Sequence, residues 1–178
     1  VDIELPKIVE FERPQGGESA VKEAAELISN ANFPVILNGA GVVLSEAFDD
    51  VAALAERLDA PVCVGYQHND AFPGSHPLFA GPLGYNGSKA GMELISKADV
   101  VLALGTRLNP FSTLPGYGID YWPTSAKIIQ VDINPDRIGL TKPVTVGIIG
   151  DAKKVTQGIL AKLSATAGDA GRTDRKTR

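Results

Sequence analysis

The 178-residue sequence predicts an α/β domain with a Rossmann-like, doubly wound parallel six-stranded sheet and helices on both faces. Three observations carry that expectation. Short apolar runs bounded by Gly or Pro alternate with amphipathic helical stretches, the pattern of βαβ units joined by right-handed crossovers. Val35-Ile36-Leu37 and Val100 to Leu104 are apolar at every position, as strands covered on both faces require. A glycine turn follows each of these strands, Gly39-Ala40-Gly41 after the first and Gly105-Thr106-Arg107 after the second.

Residues 1–17 mix Pro6, Pro14 and paired glycines with charges and lack helical periodicity, so they read as an extended linker leading into the domain. With no Met at position 1 and no signal-peptide pattern, the chain reads as a fragment of a longer protein. The domain itself is expected over residues 18–163. Ser19 is placed to cap a helix whose apolar face is Val21, Ala24, Ala25, Leu27 and Ile28. Pro34 ends any continuation and the first strand follows. Ser45 to Leu58 repeats the helical spacing with Phe48, Val51, Ala52, Leu54, Ala55 and Leu58, and places Glu46 in the first turn. Pro61 to Val64 is the next strand.

Gly65 to Lys89 is crowded with glycine and proline, which predicts loop around one short strand near Leu78 to Ala80. A helix ends at Lys97, and Asp99 to Gly105 is the strongest strand signal. Lys127 to Ile133 and Val144 to Ile149 supply two more strands, and Asp151 is placed to cap a final helix reaching Leu163. Residues 164–178 are small, polar and charged, and are expected to form an exit linker or a disordered tail. The strand order 3-2-1-4-5-6 follows, with Val35 to Asn38 beside Val100 to Leu104.

Composition narrows the function. The chain is 44% apolar and 21% charged with a net charge of −4, and the basic residues form no stripe before the tail Arg172 to Arg178. Nucleic acid is therefore not an expected partner. No apolar run reaches the ~18 residues of a membrane span, so no membrane partner is expected either. A single cysteine, Cys63 in Pro61-Val62-Cys63-Val64, suits a buried position and a reducing, cytoplasmic location. His68 and His76 have no metal-ligand spacing, and neither a Walker loop nor a nucleophile elbow occurs.

What remains is the crevice at the topological switch point. Gly39 and Gly41 either let a ligand approach the backbone N–H groups of a helix start or form a tight turn with no ligand. Leu44 replaces the third glycine of the dinucleotide fingerprint. Arg107 offers a charged donor fork for phosphate, or an ion pair at a domain contact. Asp132 and Asp151 stand after strands, where carboxylates accept ribose hydroxyls or cap the next helix; for Asp151 capping is favoured.

The ordered set Pro34-Val35-Ile36 with Gly39-Ala40-Gly41, Ala98 to Arg107, Ile129 to Gly139 and Gly150-Asp151-Ala152 resembles the central domain of thiamine-diphosphate-dependent enzymes. Members include acetohydroxyacid synthase, oxalyl-CoA decarboxylase and sulfoacetaldehyde acetyltransferase. The segments Gly65 to Pro73 and Asn109 to Pro123 are most similar to the last of these. That resemblance implies a parent that converts sulfoacetaldehyde and phosphate to acetyl phosphate and sulfite with thiamine diphosphate and Mg2+. In the family the cofactor lies between an N-terminal domain carrying a catalytic Glu and a C-terminal domain carrying a G-D-G motif, which Gly150-Asp151-Ala152 does not match. The resemblance thus implies that both groups bind outside this chain, that the chain alone is inactive, and that its partners are those two domains in a homo-oligomer. Relatives hold FAD or ADP in the central crevice, which makes Gly39, Gly41, Arg107, Asp132 and Asp151 candidate nucleotide-lining residues. The alternatives are a stand-alone module for FAD, ADP or NADP, or the same domain of an acetolactate-synthase-like enzyme.

Overall fold

The computed structural model describes residue 9 and residues 11–172. Six parallel strands form one sheet in the order β3-β2-β1-β4-β5-β6: β1 (Pro34–Asn38), β2 (Val62–Gly65), β3 (Phe79–Leu83), β4 (Val100–Leu104), β5 (Lys127–Asp132) and β6 (Val146–Ile149). This is the expected doubly wound order. The two central strands pair from Pro34 opposite Val100 to Asn38 opposite Leu104, and every residue of both is buried.

Because successive side chains of a strand point to opposite faces, the apolar runs divide between two cores. Ile36, Val62, Val64, Leu102, Leu104, Ile129 and Val131 pack with helices α1 (Glu18–Ser29), α3 (Phe48–Leu58) and α5 (Ala152–Lys162). Val35, Leu37, Cys63, Val101 and Ala103 face the other way, onto Met92 and Ile95 of α4 (Lys89–Ile95) and onto Leu108 and Tyr121. The second face is unusual. The β4-to-β5 crossover is covered by the loop 105–126 with only a short 3-10 turn at Pro110–Ser112.

Several local expectations are corrected. The first helix starts at Glu18 after Gly17, which provides no side-chain cap, so Ser19 lies inside the helix. The helix expected from Ser45 begins only at Phe48, as α3, and a separate short helix, α2 (Ala40–Leu44), precedes it directly after the glycine turn. Glu46 lies between them, not in a first turn, at φ 54°. Its N–H donates to the Val43 carbonyl and that of Ala47 to the Val42 carbonyl, the paired bonds of a Schellman ending. Asp59 closes α3 the same way at φ 51°, with Ala60 donating to Ala55. The third strand runs to Leu83 through Pro82, which an edge strand tolerates because one side of its backbone has no partner.

The segment after α5 is ordered as far as it is described. Arg57 donates to the carbonyls of Ser164, Ala165 and Ala167, and Ala167 is fully buried, so residues 164–172 are clamped against α3 where a frayed tail was expected. Residues 173–178 of that expected tail, and residues 1–8 and 10 of the leading linker, lie outside the described residues. Among the described residues no helix is long and apolar enough to cross a membrane.

Candidate functional site: the crevice at the strand carboxyl ends

The strand order reverses between β1 and β4, so the loops after these strands diverge and leave a crevice at their carboxyl ends. Its floor is backbone packed on backbone. Gly39 N–H donates to the Leu104 carbonyl at 3.0 Å, and Gly41 N–H to the Gly105 carbonyl at 2.9 Å. A Cβ on Gly41 would come within 2.5 Å of the Gly105 Cα, and one on Gly105, itself at φ +57°, within 2.4 Å of the Gly41 Cα. These glycines are therefore required by the close approach of two turns. Their N–H groups are already spent on carbonyls and do not form the anion cradle that a glycine turn suggested; α2, at five residues, adds none.

Above this floor the crevice has two lobes. The wider one, about 310 Å³, is lined by Gly41, Leu44, Asp132, Ile133, Arg137 and Asp151, with Arg13 at its rim. Its two carboxylates are engaged. Asp132 accepts the Asn134 N–H at 2.9 Å, and Asp151 accepts the Lys154 N–H at 3.1 Å as the α5 cap while its other oxygen meets Arg13 at 3.2 Å. Arg13 also donates to the Ser45 carbonyl, so the leading segment closes this side. Leu44 and Ile133 are 79% and 62% exposed, two apolar side chains left in water at the mouth.

The narrower lobe, about 120 Å³, is lined by Gly39, Gln67, His68, Thr106, Arg107, Ser112 and Arg137 among others. The topology thus brings all five expected residues to one crevice, with Gly39 and Arg107 in one lobe and Gly41, Asp132 and Asp151 in the other. Within the described residues the Arg107 guanidinium has no hydrogen bond or ion pair, and the expected pairing at a domain contact would involve residues outside this chain. Sequence reasoning missed Arg13, Leu44, His68, Ile133 and Arg137. All five lie on or beside loops, and only the strand order gathers them.

Cys63 is fully buried, and burial pushes its thiol up to about 12, far from the range of a reactive thiolate. Burial likewise lifts the Tyr121 hydroxyl to about 12. His76 bonds Glu56 at 3.2 Å away from the crevice lining. The crevice residues do not fit thiamine diphosphate with a divalent metal. The Asp151 carboxylate is committed to Lys154 and Arg13, and among the described residues no group of three or more His, Cys, Asp or Glu could hold a metal ion.

Comparison with known proteins places this fold. The family model described as thiamine pyrophosphate enzyme, central domain, matches residues 21–159. The chain is 81% identical over 99% of its length to a sulfoacetaldehyde acetyltransferase from Roseovarius nubinhibens, covering 29% of that protein. It is 71% identical over its whole length to one from Rhodobacter capsulatus, covering 30% of it. A probable acetolactate synthase large subunit from Methanocaldococcus jannaschii is 40% identical over 82% of the chain and 24% of that protein. Among solved structures, benzoylformate decarboxylase from Polynucleobacter necessarius superposes with a TM-score of 0.72 at 25% identity, over 92% of this chain and 30% of that one. The chain spans under a third of the length of these relatives and belongs, by sequence and by fold, to the central-domain family of thiamine-diphosphate-dependent enzymes.

Proposed function

We propose that this chain is the central, non-catalytic domain of a cytoplasmic thiamine-diphosphate-dependent sulfoacetaldehyde acetyltransferase. The parent would convert sulfoacetaldehyde and phosphate to acetyl phosphate and sulfite. The observation that carries this reading is the 81% identity to the Roseovarius nubinhibens acetyltransferase over 99% of the chain, against 40% to the acetolactate-synthase-like relative. Thiamine diphosphate and Mg2+ would sit in the flanking domains, because the two crevice carboxylates, Asp132 and Asp151, are already engaged by Asn134, Lys154 and Arg13. The carbanion chemistry would be the cofactor's, and this domain would support the two halves that hold it in a homo-oligomeric parent.

The test is the parent reading frame expressed whole. Sulfite release from sulfoacetaldehyde should require phosphate, thiamine diphosphate and a divalent metal together, and the isolated chain should release none. Activity that survives thorough removal of thiamine diphosphate and metal, or a preference for pyruvate condensation to acetolactate, would overturn the reading.

A second reading is favoured by the wider lobe: a nucleotide site. Leu44 and Ile133 stand exposed at its mouth, and an apolar pair of this kind is suited to a planar base lying between Gly41 and Asp132. A saturable calorimetric response to ADP, FAD or NADP, lost in Leu44→Asp, would support it; no response to any of the three would remove it.

A further inference from the structure

The loops after β2 and β3 and the β4-to-β5 crossover, at 65–69, 84–88 and 108–119, contain no Asp, Glu, Lys or Arg in a chain that is 21% charged. They gather aromatic rings instead. Tyr66 meets the ring of Tyr85 edge-on at 6.3 Å and that of Phe111 at 6.2 Å between centroids. Tyr85, Leu114 and Tyr117 then line a groove of about 290 Å³ beside Met92 of α4. Tyr85, Phe111 and Tyr117 are 57%, 56% and 66% exposed, so these rings stand in water. The loops that carry them are nonetheless stiff. The Tyr85 N–H donates to the Phe111 carbonyl at 2.8 Å, and the Tyr117 hydroxyl donates to the Gly87 carbonyl at 3.1 Å, which joins one loop to the other. Gly84, at φ +79°, leaves no room for a Cβ against the Phe111 carbonyl. Asn86 and Tyr117 hold left-handed conformations at φ 55° and 54°, which cost a non-glycine residue free energy.

We infer that this aromatic face is a docking surface for another domain of the same parent polypeptide, one that meets it with an uncharged, apolar face. Its composition is that of an interface centre, rich in Tyr and Phe and free of charge. A carboxylate set against these rings would be desolvated with no cation to answer it. Size selects the occupant. The exposed parts of Tyr85, Phe111, Leu114 and Tyr117 together present on the order of 400 Å², the scale at which an apolar patch marks a contact. With an equal area from the partner the contact buries about 800 Å², short of the ~1,200–2,000 Å² that holds separate chains together. It lies within the ~600–1,500 Å² found between domains of one chain, where the tether supplies a high local concentration. The chain covers 29% and 30% of two acetyltransferase relatives, so most of such a polypeptide lies outside it. The inference rests on the chain being one domain of a longer parent and not on the reaction that parent runs, so the sulfite assay and the test below can fail independently.

The test uses the whole parent. Tetranitromethane nitrates accessible tyrosine rings, and peptide mass spectrometry reads the rate at each position. Tyr85 and Tyr117 should react at least about tenfold more slowly than N-acetyltyrosinamide in the same solution, as rings packed at the density of a protein interior do. Tyr121, buried within this chain, is the internal reference for a protected ring. Irradiation of the parent carrying p-benzoylphenylalanine in place of Tyr117 then identifies the occupant. The expected cross-link lies within one polypeptide and joins position 117 to a peptide outside residues 1–178. A cross-linked product of doubled mass on a denaturing gel would put a second copy on this face and overturn the assignment. Cross-links confined to residues 1–178, or nitration of either Tyr85 or Tyr117 at a rate closer to that of the free amide, would show the face open to water and overturn the inference. Nitration is read on the unmodified protein, so it decides the matter even where the substituted parent does not assemble.

Discussion

The floor and the wall of the crevice are built on opposite principles. On the floor, Gly41 and Gly105 touch backbone to backbone, and each N–H and carbonyl drawn into that contact is satisfied. On the wall, Arg107 and Arg137 have no hydrogen-bond or ion-pair partner among the described residues. A glycine turn at a strand end is commonly read as a ligand cradle and an arginine beside it as structural support. Here the glycines hold the fold together, and the arginines add no hydrogen bond or ion pair to it among the described residues.

The largest effect that would break this contrast is expected at Gly41→Ala. The new Cβ would meet the Gly105 Cα at 2.5 Å, a backbone atom that cannot swing aside. Parting the two turns should destabilise the chain by roughly 2–4 kcal/mol, lowering the thermal midpoint by about 10 °C. A calorimetric midpoint within a degree or two of the parent value would mean that the glycines are not structural.

A smaller loss is expected where the chain leaves the domain. Arg57→Ala removes three hydrogen bonds to Ser164, Ala165 and Ala167, two of them at exposed carbonyls, which should cost about 1–2 kcal/mol. The buried Ala167 should then exchange its amide proton much faster than residues in α5, a local change resolved by hydrogen exchange. Unchanged protection at Ala167 would contradict the clamp.

The smallest effect sharpens the comparison from the other side. Arg107→Gln breaks no hydrogen bond or ion pair within the described residues and should shift the urea midpoint by the equivalent of less than about 0.5 kcal/mol. A larger loss would show the arginine to be structural and would return it to the floor.

The sequence was most legible where burial leaves one solution. Val35 to Leu37 and Val100 to Leu104 had to be two-sided strands, and their adjacency followed from the doubly wound order. It misled where a position adopts a conformation that its residue type does not advertise. Glu46 closes α2 in a left-handed conformation usually given to glycine, so apolar spacing from Ser45 onward placed the helix start three residues before Phe48, where α3 begins. Pro82 hid the end of β3 because proline argues against a strand unless the strand is known to be at an edge. The polar composition of residues 164–172 said nothing of Arg57, about 110 positions earlier, which holds them. At the site, glycines and strand-end carboxylates were visible as local motifs. Arg13, Leu44, His68, Ile133 and Arg137 belong to the crevice only through tertiary placement, and no spacing rule connects them.

If thiamine chemistry lies in the rest of the parent, as proposed, isothermal titration of thiamine diphosphate with Mg2+ into the isolated chain and into the whole parent will separate the two. We expect saturable binding by the parent and no heat of binding from the chain, whose Asp132 and Asp151 are committed to Asn134, Lys154 and Arg13. Saturable, metal-dependent binding by the chain alone, at an affinity matching the parent's, would contradict the claim.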